Sequence, residues 1–367
     1  MTAISNRDSC QTKPDKNNRT LSLDLIRSIA SLSVVLCHSI EAGFSLSSSD
    51  FQKKGIGEKI IALSLFTFGR YGVPLYLYLT GYLLIGRSYP SAKDISDFLR
   101  RRYLSLLLVR SIWTVLYELV SPFYSTFPVN FWSLMKNILF LAPNKLPHTW
   151  YLGMILGYYP QIPFISCGLN QFASRGWLTI CIIPAIITIY EFVLPIINPV
   201  LLLTKHQRLD SRLFTGFSGG YFGTYLLFGY YLRQASINCS KWLKFLSFLC
   251  FFWLTVAFQV VMQHRGIQVL VWYNNGLLLI STVCLFDLLQ TMKVVWSDIF
   301  RTLSRYSFGI YMIHMPVMRI LNRKINDGVG NLSRSICLWG GTYLLSFLLV
   351  FLIGRIPILR TWLLYLR

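Results

Sequence analysis

The chain has 367 residues, of which only 13% are charged and 54% are hydrophobic, and its mean hydropathy is +0.51. Soluble domains carry about 25% charged residues, so this composition excludes an ordinary soluble protein, a disordered chain and a disulfide-rich secreted scaffold. The 35 Lys and Arg residues against 14 Asp and Glu residues give a formal net charge of +21.

In a soluble protein, such a basic excess would indicate nucleic-acid binding. Here the basic residues lie mostly in short loops between apolar runs, which is the pattern that sets the orientation of membrane proteins. There is no separate basic domain in the sequence, so nucleic acid is not an expected partner.

The first 20 residues are polar, and they are too polar and too long to resemble a cleaved signal peptide. Ten apolar windows of about 20 residues follow, and each is long enough for a membrane helix. They lie near 21–42, 62–86, 103–124, 149–168, 177–198, 218–235, 242–262, 267–289, 304–325 and 335–354. We therefore predict an all-α integral membrane protein with about ten transmembrane helices and no soluble domain.

The loop charges predict the orientation of these helices. The segments that ten spans would place inside hold more basic residues than the outer segments, which favours a cytoplasmic N-terminus and C-terminus. The strongest marker is the run Arg100, Arg101 and Arg102 before the third span. On this interpretation 1–20 is a polar cytoplasmic tail, 21–354 is the membrane domain and 355–367 is a short basic cytoplasmic tail.

The first span carries three side chains that are costly in a bilayer unless they are paired or face water: Asp24, Arg27 and His38. Asp24 and Arg27 are three residues apart and can pair on one helix face. His38 lies about 20° from the face of Arg27 and roughly 16 Å further along the axis. The alternative is two interfacial anchors and a packed histidine. Their common face favours a functional group, in which His38 can exchange a proton near neutral pH.

Four further side chains are weaker candidates for contacting a substrate: Arg70, His148, Trp150 and His314. Arg70 is either an anchor at the membrane boundary or a ligand for an anion, and an interfacial His148 beside Trp150 is usually an anchor. The sequence contains no H-E-x-x-H motif, no acidic metal cluster and no Gly-rich phosphate loop. No metal and no bound cofactor are predicted.

Five motifs resemble the helices of the membrane-bound acyltransferase-3 family, whose first helix carries an Arg, ten residues and a His. They are LSLDLIRSIASLSVVLCHS (21–39), GVPLYLYLTGYLL (72–84), HTWYLGMILGYYPQIP (148–163), YFGTYLLFGYYL (221–232) and SRYSFGIYMIHMPV (304–317). The motifs occur in order from the first span to the ninth, so the resemblance covers nearly the whole chain. One departure is Thr80-Gly81 in place of the family's Ser-Gly, which keeps a hydroxyl.

The resemblance implies transfer of an acyl group, commonly acetyl from acetyl-CoA, to a hydroxyl of a surface polysaccharide or lipid-linked sugar at the cell membrane. It makes His38 the essential histidine and Arg27 its partner in donor handling, with Asp24 holding Arg27 in place. The basic loops, including Arg100, Arg101 and Arg102, suit the anionic part of an acyl-CoA. Direct transfer with His38 as general base and an acyl-histidine intermediate both remain open.

Two other functions compete with this interpretation. A transporter or flippase of a glycan intermediate would also place charges and aromatic rings along a polar path, but the sequence has no internal repeat. A non-catalytic membrane scaffold leaves the shared face of Asp24, Arg27 and His38 unexplained. Acyl transfer is therefore the expected activity.

Overall fold

The computed structural model describes residues 16–120, 131–141, 147–172, 191–209, 221–234, 237–325 and 328–365. Within these ranges the regular structure is entirely helical, which confirms the all-α prediction there. Four helical segments are long and apolar enough to cross a membrane: Leu21–Phe44, Ile56–Leu84, Lys241–His264 and Asn331–Ile353. The number of ten spans and the inside position of both termini remain predictions.

The helices are named in chain order. They are α1 (Lys16–Phe44), α2 (Ser49–Gln52), α3 (Ile56–Arg70), α4 (Gly72–Leu84), α5 (Ala92–Phe98), α6 (Ser105–Val120), α7 (Phe131–Ile138), α8 (Trp150–Tyr158), α9 (Ile162–Phe172), α10 (Glu191–Leu203), α11 (Tyr221–Gln234), α12 (Lys241–His264), α13 (Gly276–Gln290), α14 (Ser297–Lys324), α15 (Asn331–Ile353) and α16 (Pro357–Leu363). A π-helical segment, Leu99–Leu104, joins α5 to α6.

Three apolar windows that are not single α-helices are 62–86, 149–168 and 267–289. The first is shared by α3 and α4, with Tyr71 between them. The window 149–168 is divided by a 3₁₀ turn, Tyr159–Gln161, between α8 and α9. Pro160 lies in this turn and has no amide N–H to continue an α-helix. The windows 103–124, 177–198 and 218–235 extend outside the described residues.

The window 267–289 becomes a helix only from Gly276 onward, and residues 268–275 form an irregular loop. The Asn275 side chain accepts hydrogen bonds from the backbone N–H groups of Leu277 and Leu278, and this N-cap fixes the start of α13. The prediction of a membrane helix is therefore wrong over residues 268–275, where the chain forms a loop.

Helix α1 lies at the centre of the described structure and packs against α3, α4, α13, α14 and α15. It runs parallel to α14, because Asp24 contacts Ser304 near the start of both helices and His38 contacts His314 further along. We call these two levels the Arg27 end and the His38 end of α1. The Trp339 indole N–H also donates to the Leu32 carbonyl, which ties α15 to α1.

Both predicted tails contain helical residues. Helix α1 begins at Lys16, inside the segment 1–20, and α16 lies inside 355–367. The Trp113 indole N–H donates to the Leu363 carbonyl at 2.9 Å, so the end of α16 packs against α6. The domain boundaries themselves remain predictions.

Candidate active site

At the Arg27 end, three side chains from α1 and α14 form a closed hydrogen-bonded group. Arg27 Nη1 lies 3.4 Å from Asp24 Oδ1 and donates to Ser304 Oγ at 2.9 Å. The Ser304 hydroxyl in turn donates to Asp24 Oδ1 at 2.6 Å. Asp24 and Arg27 are thus brought together, and Ser304 joins them from a helix that is remote in the sequence. The guanidinium is held in one orientation by two partners.

A central cavity of about 570 Å³ adjoins this group and lies between α1, α4, α8 and α14. Five arginines line it at or near the Arg27 end: Arg27, Arg87, Arg102, Arg301 and Arg305. The rest of its wall is mostly apolar or tyrosine, including Leu79, Leu152 and Phe308. Such a cavity suits an elongated ligand with an anionic end and a less polar remainder.

Arg87 lies just beyond the membrane-length segment Ile56–Leu84, and burial lowers the pKa of its guanidinium from the ordinary value. The neighbouring positive charges of Arg102 and Arg233 act in the same direction. An anion bound in the cavity would offset this crowding of positive charge.

The basic run before α6 divides between two places. Arg102 lines the central cavity, together with Arg27. Arg100 and Arg101 line a separate pocket, with Asp97 and Ser105 beside them. The structure therefore brings one of the three arginines to Arg27.

At the His38 end, four side chains form a hydrogen-bonded chain. His38 Nδ1 lies 3.0 Å from Glu41 Oε2, and Arg70 Nη2 donates to Glu41 Oε1 at 3.1 Å. Arg70 Nη1 also lies 3.3 Å from the Tyr273 hydroxyl. An ionised carboxylate only accepts hydrogen bonds, so the proton of a neutral His38 lies on Nδ1 and the Nε2 lone pair is free to take a proton.

Arg70 is buried, with 5% of its surface exposed, and aromatic rings surround its charge. Its guanidinium carbon lies 4.6 Å from the ring centroids of both Phe66 and Trp272 and 5.3 Å from that of Tyr273. Cation–π contacts and the Glu41 carboxylate together compensate for the loss of water around the cation. Arg70 is thus linked to His38 through Glu41.

Two further histidines form a cluster with His38, and both come from parts of the chain more than a hundred residues away. The rings of His38 and His314 are stacked with centroids 5.6 Å apart, and His148 lies edge-on to His314 at 5.1 Å. His314 Nδ1 lies 2.6 Å from the Tyr311 carbonyl oxygen, so it donates its proton there. No group of three or more metal-ligating side chains with suitable geometry occurs in the described ranges.

Trp150 belongs to an aromatic cluster with Trp272 and Tyr273, at ring distances of 6.2 and 5.7 Å. Trp272 remains 42% exposed, and its indole N–H donates to the Tyr221 hydroxyl at 3.2 Å. The cluster lies next to Arg70 and includes two residues of the loop 268–275. It therefore forms a partly open aromatic surface beside the His38 end.

A buried glutamine holds this loop in place. The Val271 N–H donates to Gln259 Oε1 at 2.8 Å, and Gln259 Nε2 donates to Thr67 Oγ1 at 2.9 Å. Gln259 is fully buried, so these bonds replace those that its amide would make with water.

Three tyrosines form a row of ring contacts that ends, through Tyr311, at His148 and His314, and we call Tyr76, Tyr151 and Tyr311 the tyrosine layer. All three line the cavity. Their ring centroids are 6.3 Å apart for Tyr76 and Tyr151 and 6.0 Å apart for Tyr151 and Tyr311. Among the residues described, the cavity wall contains none of the three histidines.

Four residues of the site were not predicted from the sequence: Glu41, Ser304, Trp272 and Tyr273. Glu41 follows His38 by three residues on α1, which is the spacing of a helical contact and a usable signal. Trp272 and Tyr273 were not considered as site residues because the window 267–289 is predicted to be a membrane helix. Ser304 opens the fifth motif, but nothing in the sequence pairs it with Asp24.

Comparisons with known proteins are consistent with the site's chemistry. Residues 20–355, nearly the whole chain, match the model of a family described as an acyltransferase domain. The chain is also similar to the "Regulator of hypoxia-inducible factor 1" of Caenorhabditis elegans, at 28% identity over 180 residues, which is 42% of this chain and 35% of that protein. The match thus covers about a third of the length of this curated relative. No solved structure matches the chain.

Proposed function

Since the chain belongs to the acyltransferase-3 family, we propose that it transfers an acetyl group from acetyl-CoA to a hydroxyl of a surface polysaccharide or lipid-linked sugar. The family resemblance predicted from five motifs is confirmed by the match over residues 20–355. Family and apolar helices together indicate a membrane acyltransferase. The donor, the acceptor, the catalytic residues and a multi-pass position in the cell membrane are parts of the proposal.

The observation that carries the proposal is the arrangement of the central cavity. Arginines line it near the Arg27 end, and Tyr311 of its wall contacts His314, whose ring stacks on that of His38. Charge-assisted hydrogen bonds from Arg27, Arg87 and Arg102 suit the phosphates of an acyl-CoA. The less polar arm of the donor would then occupy the cavity and carry the thioester toward the His38 end. The orientation predicted from the loop charges would open the Arg27 end to the cytoplasm, where acyl-CoA is available.

His38 is the proposed general base. Its Nε2 would take the proton of the acceptor hydroxyl while that oxygen attacks the thioester carbonyl carbon. The new C–O bond forms as the C–S bond breaks, and the leaving thiolate of CoA takes a proton from the imidazolium. Glu41 supports this role because it orients the ring and stabilises its charged form.

The aromatic cluster beside Arg70 is the proposed acceptor site. Trp150, Trp272 and Tyr273 offer ring faces and edges that can pack against the apolar faces of a sugar. Arg70 would contact an anionic sugar or keep the cluster in place. The position of the cluster at the His38 end supports an acceptor that approaches from the side opposite to the donor.

The test uses the full chain in vesicles with labelled acetyl-CoA and extracts of the host's glycans and lipid-linked sugars. We expect the wild type to label a sugar and His38→Ala to lose labelling. The matched control is His206→Ala, because His206 is exposed in a loop after α10. Labelling that persists in His38→Ala would remove the catalytic assignment. Unlabelled glycan that accumulates on one side of the membrane without the protein would instead indicate transport.

A further inference from the structure

The tyrosine layer belongs to the wall of the central cavity and contacts the histidines through Tyr311. Tyr76 lies on α4, Tyr151 on α8 and Tyr311 on α14, so three separate helices each contribute one ring. The Tyr311 ring lies 5.8 Å from that of His148 and 5.9 Å from that of His314. On α14, Tyr311 is seven residues beyond Ser304, which places the layer about 10 Å along the axis from the Arg27 end.

Hydrogen bonds hold two of these rings. The Tyr311 hydroxyl donates to the His148 carbonyl, which ties α14 to the turn before α8. The Tyr151 hydroxyl interacts with Thr80, whose own hydroxyl donates to the Tyr76 carbonyl at 2.9 Å. Rings fixed in this way resist displacement, because a packed interior yields little to an oversized group.

We propose that the tyrosine layer limits the size of the acyl group that reaches His38 and makes the enzyme selective for short acyl groups such as acetyl. This inference rests on the proposed function. A donor whose phosphates bind near the Arg27 end enters the layer with its acyl group first. An acetyl group brings its carbonyl carbon to His38 with little displacement of the rings. A longer chain has to force the three rings apart before its carbonyl carbon arrives.

The experiment measures transfer to the acceptor from acetyl-CoA, butyryl-CoA and octanoyl-CoA by the wild-type chain in vesicles. We expect the rate to fall with each step, with octanoyl transfer about a hundredfold or more below acetyl transfer. Tyr151→Leu should raise the ratio of octanoyl to acetyl transfer about tenfold, because the smaller side chain leaves more space in the layer. Tyr151→Phe is the matched control: it loses the interaction with Thr80 but keeps the ring that fills the space, so its ratio should stay much closer to the wild-type ratio than that of Tyr151→Leu.

Tyr76→Leu repeats the test from a different helix and should shift the ratio in the same direction. Equal rates with acetyl and octanoyl donors in the wild type would overturn the inference, whatever the variants do. It would also be overturned by an unchanged ratio in both Leu variants while they still transfer acetyl. If both Leu variants lose all transfer, the wild-type series decides. If the wild type transfers no acyl group from any of the three donors, the proposed function fails instead.

Discussion

Glu41 accepts a hydrogen bond from His38 Nδ1 on the same helix, one turn further along, at 3.0 Å. The other oxygen of this carboxylate accepts from Arg70 at 3.1 Å, so Glu41 joins a cation on α3 to the histidine on α1. The pair has the form of a histidine and the carboxylate that orients it, which sets the tautomer and leaves Nε2 available. Glu41 is thus a positioning residue for His38.

Replacing Glu41 with Gln should lower kcat about tenfold to a hundredfold, because the neutral amide no longer stabilises a charged His38 in the transition state. The KM for acyl-CoA should stay within about twofold, since Glu41 lies outside the cavity wall. Steady-state kinetics on the purified variant measure both parameters. Glu41→Asp should recover part of kcat, and a Gln variant with wild-type kcat would contradict the positioning role.

The two positions of the basic run give a second prediction. Arg102→Ala should raise the KM for acyl-CoA about tenfold, because Arg102 lines the central cavity and a charge-assisted hydrogen bond is lost. Arg100→Ala should leave KM within about twofold, because Arg100 lines the separate pocket beside Asp97. The comparison of the two variants also cancels the general effect of removing one positive charge. Equal increases in both would indicate long-range attraction in place of a contact.

The parts of the site that could be predicted are those carried by one helix. The pairing of Asp24 with Arg27 follows from their spacing on α1, and the structure places them 3.4 Å apart. The meeting of His38 with His148 and His314 depends on how α1, the turn before α8 and α14 pack, which no local pattern encodes. The sequence therefore marks His148 and His314 only as weak candidates, because it does not show that they pack together with His38.

The fold, like the site, could be predicted only where a local sequence pattern defines it. Hydrophobicity predicts the long apolar helices α1, α12 and α15 close to their observed bounds, because length and composition define them. It fails over residues 268–275, where an apolar stretch forms a loop in which Val271 and Tyr273 are buried and Trp272 is exposed. The signal for the loop is local: Gly266 with a φ of +81° after α12, and the Asn275 cap before α13.

Gln259 gives a third prediction, because it anchors that loop. Gln259→Leu removes the acceptor for the Val271 N–H and should destabilise the protein by about 1–3 kcal/mol, the cost of an unpaired buried polar group. Because the loop carries Trp272 and Tyr273, the KM for the acceptor should rise more than the KM for acyl-CoA. Thermal unfolding in detergent and separate titrations of the two substrates measure these effects.

The matched control for that change is Gln161→Leu. Gln161 is exposed, and its side-chain amide donates to the Gly157 carbonyl four residues earlier. Its replacement should change stability by less than about 0.5 kcal/mol. An equal loss of stability in both variants would show that the hydrogen bond between Gln259 and Val271 makes no specific contribution to stability.

A last prediction concerns the contact between α4 and α11, which positions Tyr76 and Tyr78 against the rest of the bundle. A Cβ atom at Gly229 would lie 2.2 Å from the Tyr78 carbonyl oxygen, a distance that requires the two backbones to move apart. Gly229→Ala should therefore destabilise the protein by about 1–3 kcal/mol through overpacking. Gly157→Ala is the matched control, since a Cβ there meets no atom of another described segment within 4 Å and Ala favours the helix. Thermal unfolding of the two variants should move the midpoint down for Gly229→Ala and leave it unchanged or slightly higher for Gly157→Ala. Equal midpoints would mean that α4 and α11 can separate without cost, and the tyrosine layer would then lack the rigid support that a size limit requires.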